Sequence, residues 1–369
     1  MSTTASGSDR PVRLALVGAG VIGKHHGRVV GELGGRIDLV AVVDLQLERA
    51  EQLAAACGGR PFASLAEALA AVDVDVVTVC TPTGRHGEVA IEALAAGKHV
   101  IIEKPAEVTV AKTDEIIAAQ RRAGTLVAVI SQHRFDPATE VTLDAIRRGE
   151  LGRLTSGIAS IDWWRGQSYY DSGDWRGTWE LDGGGALMNQ GVHTLDLLVA
   201  TLGRPVEVFA YTTTVAHERI EVEDVAVGVV KFANGALGVL HASTAAYPGL
   251  SARLQVHGDQ GSAVIDNDEL SFFHRTPQGS QAEDRAYGSA TTSINQVADF
   301  PEASGAAAET AGSNPGQLAP NAHRLQYENF LAALAGDEPL RVDLETNRRS
   351  IAVITAVYES ARTGRPVAL

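Results

Sequence analysis

Short apolar runs alternate with alanine-rich segments of helical spacing along the first 130 residues of the chain. Strands are predicted for VRLALVGAG, IDLVAVVD, VDVVTVCTP, KHVIIEKP and TLVAVIS, and helices for most of the segments between them. Apolar strands of this kind are typical of a parallel sheet that is buried on both faces. The pattern therefore predicts repeated strand–helix–strand units and an α/β domain over residues 1–130.

After Leu154 the pattern changes to longer runs of strand-forming residues. These runs are SGIASIDWW, EVFAYTTTV, VEDVAVGVVKF, ALGVLHAST, SARLQVHG and SAVIDNDELSFF. Asn234-Gly235 lies between two of the runs and is a strong hairpin signal. Consecutive strands predict an antiparallel sheet, one face of which could be buried against another subunit.

Residues 277–320 interrupt this pattern, because they are polar, rich in Gly, Ala and Ser, and aperiodic. We expect a surface excursion there, which serves as a lid or as an arm between subunits. The alternative is a disordered segment.

Composition limits the classes of function. A chain of 369 residues usually builds two cores, and no apolar run approaches the roughly 18 residues of a membrane span. The N-terminus shows no export signal, and Cys57 and Cys80 lie in apolar surroundings, so we expect reduced thiols in a cytoplasmic protein. The net charge of −14 argues against nucleic acid and membrane partners, which are anionic, but allows a small anionic substrate.

A glycine-rich turn follows the first predicted strand and opens the first predicted helix. Gly18-Ala19-Gly20-Val21-Ile22-Gly23 fits G-x-G-x-x-G in the strand–turn–helix context of a dinucleotide-binding turn. The glycines permit a tight turn, close approach of backbone to a pyrophosphate, and close packing of helix on strand. Asp44 ends the second strand, where a carboxylate binds the adenosine ribose and repels a 2′-phosphate. NAD is therefore favoured over NADP.

The fourth predicted strand ends in Glu103-Lys104-Pro105. Strand carboxyl ends line the ligand crevice of an open α/β sheet, so we expect Lys104 to point toward whatever lies beside the nicotinamide. Pro105 restricts Lys104 to extended geometry and could support a cis bond.

The run GGGALMNQGVHTLD begins at Gly183 and places Asn189 and His193 four residues apart, one turn apart on the same face of a predicted helix. His193 then has two interpretations. It packs between helix and sheet, or it transfers protons in a pocket. Asp196 lies three residues further on, and it either orients His193 or bonds locally.

These motifs occur in one order along the chain. GAGVIG, CTPTGRHGEVAIEALAAGKHVIIEKP and GGGALMNQGVHTLDLL together resemble the Gfo/Idh/MocA oxidoreductases, and the similarity extends from Val12 to the closing IAVITAVYESARTGRPV. The resemblance implies an α/β fold with an N-terminal Rossmann dinucleotide-binding domain (1–130) and a C-terminal α/β domain (131–369) that carries a large, open, mostly antiparallel sheet. We expect a helix at about 346–363 to pack back toward the N-terminal domain.

The resemblance also implies hydride exchange between NAD(P) and a carbon of a sugar or polyol, with Lys104 and His193 at the reaction centre. We interpret His193 as the general base, because a neutral imidazole is suited to removing a hydroxyl proton near neutrality. Lys104 is then the cation that stabilises the developing alkoxide. Many members of the family carry Asp at the position of Asn189, which can orient a hydroxyl but cannot balance an imidazolium charge.

The expected cofactor contacts lie in the glycine turn and at the ends of later strands: Gly18, Gly20, Val21, Ile22, Gly23, Asp44, Thr81, Pro82, His86, Glu103, Lys104 and Gln132. The run DWWRGQSYYDSGDWRGTWELD suits stacking on a sugar ring and binding of carboxylate or phosphate, although about half of it is expected to be interdomain core. The expected substrate contacts are Lys104, Arg134, Trp163, Arg165, Tyr169, Trp175, Arg176, Asn189, His193 and His323. The stretch YYDSGDWRGTWELDGGGALMNQG is most similar to the branch of the family that contains UDP-N-acetylglucosaminuronate 3-dehydrogenase and related bacterial sugar 3-dehydrogenases.

Several functions remain open at this stage. The chain could be an NAD-dependent dehydrogenase that acts on a pyranose alcohol at C3, an inositol or polyol dehydrogenase, an NAD-using glycoside hydrolase that oxidises C3 transiently, or a binding protein without turnover. Retention of Lys104 and His193 counts against the last. No metal site is expected, because His25 and His26 are adjacent and point to different faces of a helix. We expect a homodimer or homotetramer formed through the C-terminal sheet.

Overall fold

A computed structural model describes residues 10–276, 295–304 and 321–369. Within that part the chain forms two compact units. The first contains residues 10–132 and 321–348, and the second contains residues 133–276, 295–304 and 349–369. This division corrects the prediction that residues 131–369 form one continuous second domain.

The first unit is built on a six-stranded parallel sheet in the order β3-β2-β1-β4-β5-β6. Its strands are β1 Val12–Val17, β2 Ile37–Val43, β3 Arg60–Phe62, β4 Val76–Val79, β5 His99–Ile102 and β6 Val127–Val129. Its first five helices are α1 Val21–Glu32, α2 Leu47–Cys57, α3 Leu65–Ala71, α4 His86–Ala95 and α5 Val110–Ala123. The predicted Rossmann-type domain is confirmed. Strand order reverses between β1 and β4, the place where open α/β sheets bind ligands.

A helix from near the end of the chain completes the core of this unit. Leu14 and Leu16 of β1 are fully buried, and they share a hydrophobic cluster with Tyr327 and Phe330 of α9 (Asn321–Ala335). Both aromatic side chains are 1% exposed. Helix α9 therefore belongs to the nucleotide-binding fold.

The second unit contains an eight-stranded sheet in the order β13-β12-β11-β7-β10-β9-β8-β14. Its strands are β7 Leu154–Asp162, β8 Pro205–Thr213, β9 Val225–Phe232, β10 Leu237–Ser243, β11 Ala252–Gly258, β12 Gly261–Asp266, β13 Glu269–Arg275 and β14 Val367–Ala368. Strands β7 and β10 pair in parallel, and all other neighbours pair antiparallel. The predicted large, mostly antiparallel sheet is confirmed.

Two tight turns set the register of this sheet. Asn234-Gly235 joins β9 to β10 as predicted, with Gly235 at a φ of +90° and the Asn234 side chain accepting the Ala236 N–H at 3.1 Å. The run SAVIDNDELSFF contains two strands and not one. Asn267 and Asp268 have φ values of +50° and +67° and turn the chain between β12 and β13.

Helices cover one face of the second sheet. They are α6 Pro137–Arg147, α8 Val192–Leu202 and, from Arg349 onward, α10 Leu344–Thr363, while the short helix α7 Gln167–Tyr170 follows β7 in the chain. From Arg349 onward α10 belongs to this unit, and Val353, Ile354 and Val357 are fully buried in its core. The first turn of α10 belongs to the first unit, where Oδ1 of Asn347 accepts the Ala106 N–H at 3.1 Å, so the helix predicted at about 346–363 packs on the N-terminal domain only at its beginning.

The opposite face of the sheet carries exposed apolar side chains. Buried and exposed residues alternate along β9, and Val227 and Val229 are 46% and 51% exposed. Leu237 and Val239 of β10 are 56% and 41% exposed. An apolar sheet face of this kind is typical of a surface that binds another protein chain.

Most of the polar stretch at 277–320 lies outside the described residues. Its described part, 295–304, contains two 3₁₀ turns, and Ala303 is buried in the core of the second unit. None of the helices in the described ranges is both long enough and apolar enough to span a membrane.

Candidate active site

The glycine turn after β1 has the shape that a dinucleotide needs. A Cβ at Gly18 would lie 2.5 Å from the carbonyl oxygen of Cys80, and one at Gly23 would lie 1.9 Å from the Gly18 carbonyl oxygen. A Cβ at Gly20 would meet nothing within 4 Å, so this glycine borders open space. The first and third glycines are required by packing, and the second leaves room for a ligand beside the backbone.

Asp44 lies beside this turn. Its Oδ2 accepts the Ala19 N–H at 2.8 Å, and its Oδ1 accepts the Gln46 N–H at 2.9 Å. Leu45 is 93% exposed and offers no cation at this position. The carboxylate is therefore fixed at the end of β2, where an adenosine ribose would bind.

The loop after β4 contributes a polar atom that fits a cofactor. Thr81 carries a buried hydroxyl that has no hydrogen-bond partner within the described residues. Because buried polar groups are nearly always hydrogen-bonded, this oxygen is suited to a ligand group. Together with the open space at Gly20, it shows that the residues present fit NAD.

His86 occupies a different place from the one predicted. Its Nδ1 lies 2.8 Å from the Pro105 carbonyl oxygen and its Nε2 lies 2.8 Å from the Thr81 carbonyl oxygen. The side chain is buried, and burial lowers its pKa. His86 therefore lies between the loops after β4 and β5, where its neutral ring donates to one of the two carbonyl oxygens, and its contact with the cofactor stays a prediction.

Glu103 fixes the backbone of the predicted catalytic lysine. Its Oε2 accepts the N–H of Lys104 at 2.9 Å, and its Oε1 lies 2.9 Å from Nε2 of His26. Burial opposes ionisation of Glu103, but the contacts with His26 and His323 outweigh burial and hold its pKa well below the usual range. The carboxylate is thus an acceptor, so His26 carries the proton on Nε2.

A chain of hydrogen bonds extends this network. Nδ1 of His26 lies 2.8 Å from the Tyr327 hydroxyl, which lies 3.0 Å from Oγ1 of Thr78. In the neutral tautomer of His26, Tyr327 donates to Nδ1 and accepts from Thr78. The chain links α1, α9 and β4 to the loop that carries Lys104.

His323 was predicted to bind substrate, and the structure places it in this buried network. Its Nε2 lies 3.6 Å from Oε1 of Glu103, and the side chain is 3% exposed. His26, Glu103 and His323 are ligand types that a metal ion could use. Hydrogen bonds already account for both nitrogens of His26, and we assign no metal to the group.

In the second unit, close packing explains the glycines of the GGG run. A Cβ at Gly184 would lie 2.1 Å from the Tyr358 hydroxyl, and one at Gly185 would lie 1.7 Å from the carbonyl oxygen of Glu223. The Glu223 carboxylate accepts the N–H groups of Gly185 at 2.9 Å and Leu187 at 2.8 Å, and the Tyr358 hydroxyl at 3.1 Å. Burial nevertheless raises the pKa of Glu223 to about 7.

Asn189 lies in a π-helix, Ala186–Gly191, that leads into α8. The predicted regular α-helical turn between Asn189 and His193 is therefore wrong. The Asn189 amide donates to Oδ1 of Asp182 at 2.7 Å, and Asp182 also accepts the Gly177 N–H at 2.9 Å. Sequence reasoning missed Asp182, although an acid immediately before the GGG run was a visible signal.

The predicted aromatic and cationic residues do come together. The Arg165 guanidinium lies 5.1 Å from the Trp163 ring centre and 5.5 Å from that of Tyr169, and Arg176 lies 4.2 Å from Tyr169 and 4.4 Å from Trp175. Arg165 is 7% exposed, and burial lowers its pKa. We name Trp163, Arg165, Tyr169, Trp175 and Arg176 the arginine cluster.

Arg134 has a protein partner that the sequence did not predict. Its Nε and Nη2 donate to the two carboxylate oxygens of Asp196 at 2.6 and 2.7 Å. Asp196 also accepts the Ser350 hydroxyl at 2.9 Å and is buried. The structure therefore gives Arg134 an ion pair with Asp196, which the sequence did not predict, and the substrate contact of Arg134 stays a prediction.

His193 lines a small cavity within the second unit. His133, Trp163 and Asp268 contribute to the same wall, and the His133 and His193 rings meet edge to face at 5.0 Å. Lys104 lies in the first unit, at the end of β5, and Gln132 is buried in the 3₁₀ turn after β6. A histidine in a pocket beside a second histidine is suited to proton transfer.

Two matches identify the family. Residues 12–131 match an oxidoreductase family with an NAD-binding Rossmann fold, and residues 142–264 match the GFO/IDH/MocA C-terminal domain. The chain belongs to the Gfo/Idh/MocA oxidoreductases. Its N-terminal unit is the NAD-binding domain of that family.

Two solved structures of this family are similar to this chain over its full length, and one curated relative is similar over part of it. The WlbA dehydrogenase of Chromobacterium violaceum, solved with NADH and UDP-GlcNAcA, is 31% identical with a TM-score of 0.85, over 100% of this chain and 99% of that one. The Bordetella pertussis WlbA dehydrogenase, with the same two ligands, is 32% identical with a TM-score of 0.84, over 99% of each chain. D-glucoside 3-dehydrogenase of Escherichia coli is 34% identical over 53% of this chain and 55% of its own length.

Proposed function

We propose that this protein is an NAD-dependent dehydrogenase that oxidises a secondary alcohol of a pyranose, at C3. Support comes from the two WlbA dehydrogenases, which match the whole chain and were solved with a sugar nucleotide, and from the partial match to D-glucoside 3-dehydrogenase. The observation that carries the proposal is the joint presence of a dinucleotide turn, Lys104 at a strand end and His193 in a pocket.

His193 is the general base in this reaction. It removes the proton of the C3 hydroxyl, and Lys104 binds the same oxygen and stabilises its developing negative charge. Bound NAD supplies the acceptor for the hydride that leaves C3. The balanced products are a 3-keto sugar, NADH and one proton.

The arginine cluster favours an anionic sugar. A buried guanidinium framed by aromatic rings can pair with a carboxylate or phosphate and leave an aromatic face for the ring. We propose a sugar with a carboxylate or a phosphate-containing substituent, of the class seen in the WlbA complexes. Asn189, held by Asp182, is placed to bind a neutral hydroxyl.

A substrate panel tests this function. NADH absorbance is followed with UDP-linked uronic acids, free uronic acids and neutral glucosides. We expect turnover to be highest with an anionic pyranose, and Arg165→Met to raise KM for that substrate while a neutral glucoside is unaffected. Release of the aglycone without net NADH would contradict the proposal in favour of the glycosidase, and turnover only with inositol would contradict the sugar assignment.

We also propose that the protein is a homodimer or homotetramer, formed through the outer face of the second sheet. Val229 of β9 pairs across the sheet with Phe209 and Val239, and Val227 pairs with Tyr211. Tyr211 is 68% exposed. Burial of this apolar row against a second copy would remove it from water.

A further inference from the structure

The cavity beside His193 is a small chamber within the second unit. Its volume is about 20 Å³, which is close to the space that one water molecule requires. Residues with polar side chains, among them His133, Trp163, His193 and Asp268, line the chamber together with apolar residues such as Ile161 and Leu197. Because a buried water needs two to four polar partners, a chamber with this lining can hold one.

Trp163 supports this interpretation independently. The side chain is 5% exposed, and its Nε1 is buried without a hydrogen-bond partner in the part of the chain that the structure describes. Native proteins rarely leave such a donor unsatisfied, because an unmade buried hydrogen bond costs about 1–3 kcal/mol. A polar group in the chamber would accept this N–H.

His133 leads from the chamber to two carboxylates. Its Nδ1 lies 2.7 Å from Oδ2 of Asp136 and 3.0 Å from Oδ1 of Asp268. The side chains of His133 and Asp136 are each 14% exposed, whereas that of Asp268 is 37% exposed. Asp268 lies in the turn between β12 and β13, so this cluster has an acid at the surface and a histidine at the chamber.

The charges of the cluster keep His133 protonated, so its two carboxylates are the groups that can take up a further proton. Burial lowers the pKa of His133, but the two carboxylates outweigh burial and raise it well above the usual range. Burial raises the pKa of Asp136, while His133 lowers that of Asp268. Asp136 and Asp268 thus differ in proton affinity although they contact the same imidazole nitrogen.

Oxidation of an alcohol leaves a proton on His193, and the base must lose this proton before the next turnover. We propose that the chamber and the His133–Asp136–Asp268 cluster form the exit route by which this proton reaches solvent. The route rests on the proposed function, in which His193 is the base.

Each step conserves atoms and charge. The hydroxyl O–H bond breaks as an N–H bond forms on His193, and the C–H electron pair leaves with the hydride to the nicotinamide. His193 then returns its proton to a water in the chamber, and this water passes one of its own protons to the carboxylate of Asp268, which lies in the chamber wall. Asp268 exchanges that proton with bulk water, and His193 is neutral again.

Asp268→Asn tests the route with little change of structure. Asn tolerates the positive φ at this position as well as Asp does, and it keeps an amide oxygen but cannot take up a proton. In a single turnover in weak buffer, a pH indicator follows proton release while absorbance follows NADH. We expect the two signals to coincide in the wild type, and proton release to slow by at least about tenfold in the variant.

Added imidazole provides the decisive readout. A small diffusible base should restore proton release in Asp268→Asn, as a purely structural defect would not allow. Glu269→Gln, the adjacent acid of the same hairpin, is the matched control and should behave like the wild type. Wild-type proton release in Asp268→Asn, or a loss that imidazole does not restore, would overturn the route.

His193→Ala separates this proposal from the function on which it rests. If His193→Ala still turns over sugar, the assignment of the base fails whatever Asp268→Asn does. If His193→Ala is inactive and Asp268→Asn releases protons normally, only the exit route fails.

Discussion

Several polar side chains near the two glycine runs contact the N–H or C=O groups of neighbouring backbone. Glu103 accepts the N–H of Lys104, Glu223 accepts that of Gly185, and His86 contacts the Pro105 carbonyl oxygen. Such bonds hold the flanking loops in one conformation, and a fixed conformation is what a catalytic side chain requires.

The two proposed catalytic residues can be tested separately from cofactor binding. Lys104→Ala and His193→Ala should each lower kcat by at least about 100-fold, because each removes a group that acts on the reacting hydroxyl. The Kd for NAD, measured by fluorescence titration, should change little. Lys98→Ala and His257→Ala are matched controls, and near-wild-type kcat in either test variant would remove that residue from the mechanism.

Asp44 should determine the choice between NAD and NADP. Asp44→Asn keeps an oxygen for the Ala19 N–H but removes the negative charge that repels a 2′-phosphate. We expect the ratio of kcat/KM for NAD over NADP to fall by about tenfold or more. Asp38→Asn, on the same strand, should leave the ratio unchanged, and an unchanged ratio in Asp44→Asn would reject its assigned role.

At this scale the sequence predicted which residue types matter better than it predicted their partners. Local motifs were enough to single out Lys104 and His193. Arg134 was predicted to bind substrate because it follows the last Rossmann strand, where the chain enters the second domain, yet its partner Asp196 lies 62 positions further along the chain. Pairings across such distances depend on the fold, which no local pattern reports.

Among the elements, the π-helix Ala186–Gly191 has the most direct bearing on the site. It follows the glycine run and leads into α8, so it sets where Asn189 and His193 lie along the helix axis. π-helices are rare and often occur at functional sites. The regular spacing of the sequence predicted an α-helix here, because the extra residue of a wider turn leaves no hydrophobic signature.

The close approach at Gly185 should make this position intolerant of any side chain. Gly185→Ala places a Cβ 1.7 Å from a backbone oxygen, and we expect unfolding free energy to fall by about 1–3 kcal/mol, measured by urea denaturation. Gly166→Ala is the control, because its Cβ would meet only the Ser168 hydroxyl at 3.7 Å. Equal stability of the two variants would contradict the packing argument.

Glu223 should make stability depend on pH. Its pKa is about 7 when folded and about 4.5 ordinarily, so the unfolded state ionises first as pH rises. The protonated Glu223 stabilises the folded state, and this contribution is fully present below the unfolded pKa. It is lost as pH rises from about 4.5 to 7, and the free energy of unfolding falls there by about 1.4 kcal/mol per pH unit at most. Urea denaturation at pH 5 and pH 8 measures the free energy of unfolding at each pH. We expect the difference between the two values to be smaller in Glu223→Gln than in the wild type, and the same difference in both proteins would contradict the prediction.

At the scale of the whole molecule, amino-acid composition and apolar pattern were sufficient to predict the fold class. They were not sufficient to predict which segments of the chain belong to which domain. Alternating apolar runs predicted both sheets, since strand periodicity is local. Helix α9 was assigned to the wrong unit, because its apolar spacing says only that one face is buried and not which sheet covers it. Tyr327 and Phe330 pack on β1, which is the start of the chain.

The proposed subunit contact belongs to this scale too. Val229→Asp puts a charge in the centre of the apolar row on the outer sheet face, where burial without a partner is costly. Light scattering after gel filtration should show a smaller assembly than the wild type. Val215→Asp, at a loop valine that is 70% exposed, should not change the mass, and an unchanged mass in Val229→Asp would refute the interface.

The return of α9 to the first sheet has a consequence for biosynthesis. A ribosome makes the six strands early, but the aromatic residues that close their core emerge only after seven of the eight strands of the second sheet, β7 to β13, have been made. Until α9 has been synthesised, the apolar surface of the first sheet that this helix covers stays exposed to solvent. We expect chaperones that bind exposed apolar surfaces to bind the nascent domain during this interval. To express the first unit alone, residues 321–348 would have to be fused after residue 132.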